Sequence, residues 1–92
     1  MAWPAESTNY PSYLHSYMHP ERLALMAKFR GMEPPAFERA RVLEMGCASG
    51  VSLVSFAKDL PGAHFSGFDL DPAEIALARE FAAAAGVTNV RL

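Results

Sequence analysis

Apolar positions along this chain change period several times, and each change marks an element. Pro20 and Glu21 open the first clear stretch, since proline is tolerated at the first helical position and an acidic residue suits the positive end of the dipole. Leu25, Met26 and Phe29 fall on one stripe, flanked by Leu23 and Ala27. Lys28 and Arg30 sit in the last turn and Gly31 fits the position just beyond it. The pattern predicts a packing helix, which Glu33-Pro34-Pro35 breaks, with a short turn over 36–40. Residues 41–45 then run nearly apolar, as a strand buried on both faces of a parallel sheet does. A loop of small residues, 46–50, leads into a second helix carrying Leu53, Phe56, Ala57 and Leu60 at helical spacing, with Val54 beside them and Pro61-Gly62 as its stop. A second strand is expected over His64 to Asp69. Asp71-Pro72-Ala73-Glu74 reads as the next helix start, with Asp71 as N-cap and Glu74 reaching back to close a capping box. Ile75, Ala78, Ala82 and Ala85 form its stripe, Leu77 and Phe81 lie alongside, and Gly86 ends it before a third strand over Thr88 to Leu92.

Helix, β, α, β, α, β with right-handed crossovers makes a parallel sheet of order 3-2-1. The expected class is therefore α/β: the N-terminal half of a doubly wound, Rossmann-like sheet preceded by an arm and a helix. Two parts are expected, an aromatic arm and packing helix over 1–35 and a partial nucleotide-binding domain over 36–92. The arm, 1–19, carries Trp3, Pro4, Tyr10, Pro11, Tyr13 and Tyr17 and shows no regular period beyond one short turn. So many aromatics need a covering surface. Either the arm packs on the domain, or one or more tyrosines line a ligand pocket. A sheet of three strands also leaves its first strand as an open apolar edge, a site for pairing with a second copy or a partner chain.

Composition narrows the chemistry mainly by exclusion. Ninety-two residues allow one small domain, and a net charge of −2 with 20% charged residues gives no basic excess for nucleic acid or anionic membrane. No apolar run approaches the ~20 residues of a membrane-spanning helix, and the first residues lack the basic-then-apolar order of a signal peptide. A single cysteine, Cys47, cannot form an internal disulfide. A cytoplasmic setting is expected on these grounds. His15, His19 and His64 are scattered and make no metal site; His19 is expected to shape the turn before Pro20.

Two features converge on a ligand. The loop Gly46-Cys47-Ala48-Ser49-Gly50 lets backbone approach closely, and Asp69 follows Gly46 by 23 positions, at the same carboxyl edge of a parallel sheet. A carboxylate there accepts hydrogen bonds from two ribose hydroxyls. The dinucleotide pattern Gly-x-Gly-x-x-Gly fails, because Ala48 and Val51 occupy its second and third glycine positions, and no Walker lysine follows. Glu44, two residues before the loop, is a poor neighbour for pyrophosphate and a good one for a cationic group. Either Glu44 faces such a ligand or it pairs within the fold. Cys47 has no local base to activate it as a nucleophile.

Val42-Leu43-Glu44-Met45-Gly46-Cys47-Ala48-Ser49-Gly50 resembles the first motif of class I S-adenosylmethionine-dependent methyltransferases, and Phe65-Ser66-Gly67-Phe68-Asp69-Leu70-Asp71 resembles their next motif. Tyr10-Pro11 through His19-Pro20-Glu21-Arg22-Leu23-Ala24 is similar to the lead-in of a bacterial branch whose longer members carry a methyltransferase regulatory region. The resemblance implies that Glu44 holds the methionine end of S-adenosylmethionine. It places the backbone of Gly46, Cys47 and Ala48 along the amino-acid portion, counts Gly50 with them as a cofactor-binding residue, and sets Asp69 on the ribose and Leu70 against the adenine. Ala48 departs from the commonest glycine at its position; at positive φ this costs roughly 1 kcal/mol, at negative φ nothing. The implied function is methyl transfer to an acceptor that the chain does not specify, or the cofactor-binding portion of such an enzyme. A truncated, non-catalytic Rossmann-like module that binds cofactor weakly or pairs with a partner chain is the alternative.

Overall fold

A computed structural model describes residues 13–92. The arm residues Trp3, Pro4, Tyr10 and Pro11 lie outside the described residues. A 3₁₀ turn at Ser16–Met18 precedes helix α1 (Pro20–Phe29), and a second at Phe37–Arg39 precedes strand β1 (Arg41–Met45). Helix α2 (Val51–Asp59), strand β2 (His64–Phe68), helix α3 (Pro72–Ala85) and strand β3 (Val90–Arg91) complete the order. The strands are parallel and neighbour one another as β1-β2-β3, which is the expected 3-2-1 read from the other edge. Val42 pairs with Phe65 and Glu44 with Gly67, so these four share one face; Leu43 and Met45 share the other with Ser66 and Phe68.

The core lies on the first of these faces. Leu53, Phe56, Ala57 and Leu60 of the second helical stretch cluster with Cys47, Ala63 and Phe65, as their helical spacing requires. Ala78 and Ala82 are buried, and Lys58 Nζ donates to the Ala85 carbonyl at 2.8 Å, tying α3 to α2. Gly67 is glycine for a packing reason: a Cβ there would meet Leu53 Cδ2 at 2.5 Å and Cys47 Sγ at 3.0 Å. Asn89 joins the last strand to the rest, its Nδ2 lying 2.9–3.0 Å from the carbonyls of Ala57, Leu60 and Ala63.

Three expectations need correction. The α1 stripe of Leu25, Met26 and Phe29 is exposed, and Leu23 with it. The helix is instead buried at Pro20 and half-buried at Ala24 and Ala27, because its contacts are with the two flanking 3₁₀ turns. The capping box of α3 is half made. Asp71 accepts from Ala73 N–H at 2.9 Å, but its own N–H donates to Asp69 Oδ1 rather than to Glu74.

Strand β1 is not buried on both faces as its apolar run predicts, because among the described residues the sheet carries one helical layer. Its second face leaves Leu43 61%, Met45 74% and Phe68 51% exposed. The thinnest extent of the molecule, 17 Å, has room for one sheet and one layer of helices.

Candidate functional site

Strand β1 delivers Glu44 and Met45 to the carboxyl edge of the sheet, where the chain turns at Gly46. Gly46 N–H and Cys47 N–H both donate to the Phe68 carbonyl, at 2.8 and 3.0 Å, so the loop is anchored to the end of β2. Gly50 closes it at φ +75, and Val54 N–H then donates to the Gly50 carbonyl to start α2. A cavity of about 340 Å³ opens beside this loop. One wall is Glu44, Met45, Gly46, Cys47, Ala48 and Ser49, with Val51 and Ser52 from the first turn of α2. The other is Tyr13, His15 and Met18. Gly50 lies behind the loop, buried against Ala78, and Leu70 is exposed beyond β2; neither lines the cavity.

Asp69 reaches the loop in a way that motif spacing does not reveal. Its Oδ2 accepts from Ala48 N–H at 2.9 Å while its Oδ1 accepts from Asp71 N–H at 2.9 Å. One carboxylate thus joins the first loop, the end of β2 and the N-terminus of α3. A carboxylate offers about four lone-pair sites, so two of them remain after these bonds. Ala48 adopts φ +50, a left-handed conformation rare for alanine, and the bond from its N–H to Asp69 holds it there.

Glu44 is half-buried, and no described residue hydrogen-bonds or ion-pairs with its carboxylate. Burial pushes its pKa up. An uncompensated, partly desolvated carboxylate on a cavity wall favours a cation. Cys47 behaves oppositely: its side chain is buried in the core, and burial, then the charges of Glu44 and Asp69, push the thiol up to about 11. It contributes backbone to the loop and bulk to the core, and stays protonated at neutral pH.

Three contributors escaped motif reading. Ser52, the one buried polar residue among those described, donates from Oγ to the Tyr13 carbonyl at 3.2 Å. Gly67 admits Cys47 and Leu53 behind the loop. His15 and Met18 bring the second wall together with Tyr13, one of the arm tyrosines expected either to pack on the domain or to line a pocket. The available signal was Ser52, a polar residue in an otherwise apolar first turn.

The chain is similar to known proteins over most of its length. The methyltransferase-domain family model matches residues 36–92. This chain belongs to the S-adenosylmethionine-dependent methyltransferase family. An uncharacterized protein of Rickettsia prowazekii is 35% identical over 83 residues, covering 90% of this chain and 33% of that protein. PKMT2 from Rickettsia typhi, solved in complex with AdoHcy, is similar with a TM-score of 0.84 and 37% identity, over 90% of this chain and 16% of that one. A SAM-dependent methyltransferase from Geobacter sulfurreducens, solved with S-adenosyl-L-homocysteine, has a TM-score of 0.54 and 29% identity, over 96% of this chain and 33% of that one. The chain therefore spans a third or less of each of these relatives. Among the described residues no helix is long and apolar enough to cross a membrane.

Proposed function

We propose that this chain binds S-adenosylmethionine in the cavity beside Gly46–Gly50 and forms the donor-binding part of a methyltransferase with an unidentified acceptor. The observation that carries this reading is Glu44, a half-buried carboxylate that no described residue partners, on the wall of that cavity. S-adenosylmethionine carries an ammonium and a sulfonium, and no phosphate. When bound, it supplies an activated methyl group on sulfur. Glu44 balances the ammonium, the open backbone of Gly46, Cys47 and Ala48 lies along the amino-acid portion, and the two remaining lone-pair sites of Asp69 receive the ribose hydroxyls. Leu70, exposed just beyond Asp69, offers an apolar side chain to the adenine. The chain supplies position rather than proton transfer: proximity and in-line orientation alone contribute much of the acceleration in such reactions.

The match over residues 36–92 supports reading 1–35 as a separate arm and packing helix. The absence of basic excess supports a donor-binding rather than nucleic-acid-binding role for this segment, and a cytoplasmic setting fits the same composition. The uncovered face of the sheet supports self-association alongside cofactor binding.

Glu44→Gln is the sharpest test, since it keeps the volume and removes no hydrogen bond to a described residue. Titrated calorimetrically with S-adenosylhomocysteine, which retains the ammonium, the parent should bind and the variant should bind about tenfold more weakly, the range of one charge-assisted hydrogen bond. Equal affinities would remove Glu44 from the site. Asp69→Ala should also weaken binding, with a loss of stability from the released Ala48 and Asp71 N–H groups.

A further inference from the structure

The N-terminal segment meets the donor cavity through residues that no motif assigns. We propose that Tyr13–Met18 is a strap forming one wall of the cofactor site, with Tyr13 and His15 as binding residues and His19 with Asp59 as its latch. This rests on the donor-binding reading above and adds a binding element to it.

Three observations support the strap. Tyr13, His15 and Met18 face Glu44 and the Gly46 loop across one cavity, so anything seated on the loop touches both walls. The segment has a defined conformation: the His15 ring lies between those of Tyr13 and Tyr17, at centroid distances of 6.0 and 5.2 Å, and Ser52 fixes the Tyr13 carbonyl. Its hold on the core is nevertheless slight, since Tyr13 and Tyr17 are each more than 60% exposed. An element held by few buried contacts opens at low free energy.

His19 is the hinge. Its Nδ1 accepts from Glu21 N–H at 3.1 Å, capping α1, so the ring proton sits on Nε2 and is donated to Asp59 Oδ2 at 2.8 Å. The ring also meets Phe56 edge-on at 5.0 Å. One side chain therefore joins the end of the strap, the start of α1 and the end of α2. It acts through the strap and not on the ligand, which makes it a positioning residue. Apparent affinity falls in proportion to the closed fraction, so opening the latch weakens binding without altering the loop.

The test is calorimetric titration of S-adenosylhomocysteine into four proteins. Asp59→Ala removes the acceptor and should weaken binding about two- to fivefold, the range of a partly exposed pair. Asp59→Asn retains an oxygen acceptor for Nε2–H and should restore parental affinity, which loss of charge alone would not do. Tyr13→Ala should weaken binding up to about tenfold, as loss of an aromatic contact does. Chymotrypsin, which cleaves after Tyr13 and Tyr17, supplies a second readout: S-adenosylhomocysteine should slow cleavage there in the parent and less so in Asp59→Ala. Parental binding by Tyr13→Ala and Asp59→Ala, or cleavage indifferent to ligand, overturns the strap while leaving the loop reading intact. No binding by the parent overturns both readings.

Discussion

Ala48 is where a single residue carries a visible strain. Its φ of +50 places it in the region that a side chain disfavours, and the Asp69 carboxylate holds it there through the backbone N–H. Ala48→Gly relieves the side-chain clash and adds some unfolded-state freedom. The net expectation is a gain of about 0.5–1 kcal/mol, read as a higher urea midpoint at unchanged slope. Glu44 offers a second, opposite signature. Burial raises its folded pKa above the ordinary 4.5, so between those values the folded chain holds a proton that the unfolded chain has released. Its contribution to stability is therefore greatest below 4.5 and declines as pH rises through that window. A bound ammonium favours the carboxylate, so ligand binding expels the proton and affinity for S-adenosylhomocysteine should rise with pH across the same window. Glu44→Gln should flatten both slopes, as urea titrations and calorimetry from pH 4 to 7 would show.

At the level of elements, order and type were legible because the apolar spacing of α2, the near-continuous β1 and the Asp71-Pro72 start each follow from local chemistry. The Gly46 loop and Asp69 could be located from spacing alone. What spacing could not reveal is what one element does to another. Asp69 reads as a ribose ligand in sequence, yet in the fold it also ties Ala48 to Asp71, a bond across 21 residues. The α1 stripe has helical spacing, but periodicity states only which face is apolar, not whether anything covers it. Asn89 shows the same gap from the other direction. It reads as a loop residue before a short strand, and it binds three carbonyls at the end of α2 and the turn beyond it. Asn89→Ala takes this donor from the Ala57 and Ala63 carbonyls, while the Leu60 carbonyl keeps the Ala63 N–H, and its expected loss is about 1–3 kcal/mol. Faster amide exchange confined first to Leu60–Phe65 and β3 would show that this side chain couples the two elements.

For the whole molecule the governing fact is that, among the described residues, a parallel sheet is covered on one side only. Such sheets ordinarily bury both faces, since their crossover helices lie on each. Here α2 and α3 pack together, while Leu43, Met45 and Phe68 stand exposed on the opposite face, next to the edge of β1 that no described strand pairs. An edge and an apolar face side by side offer backbone pairing and burial to the same partner. A second copy of the chain carries the complementary edge and face, so the isolated chain is expected to dimerise or associate further. Sedimentation velocity across a range of concentrations should show mass action between monomer and larger species. The double variant Leu43→Glu, Phe68→Glu places two charges on the shared surface and should shift the protein to monomer. It should leave the Glu44 carboxylate and the cavity on the other face able to bind S-adenosylhomocysteine. Concentration-independent monomer in the parent would mean that this face is tolerated in water, and would remove self-association from the account while leaving donor binding untouched.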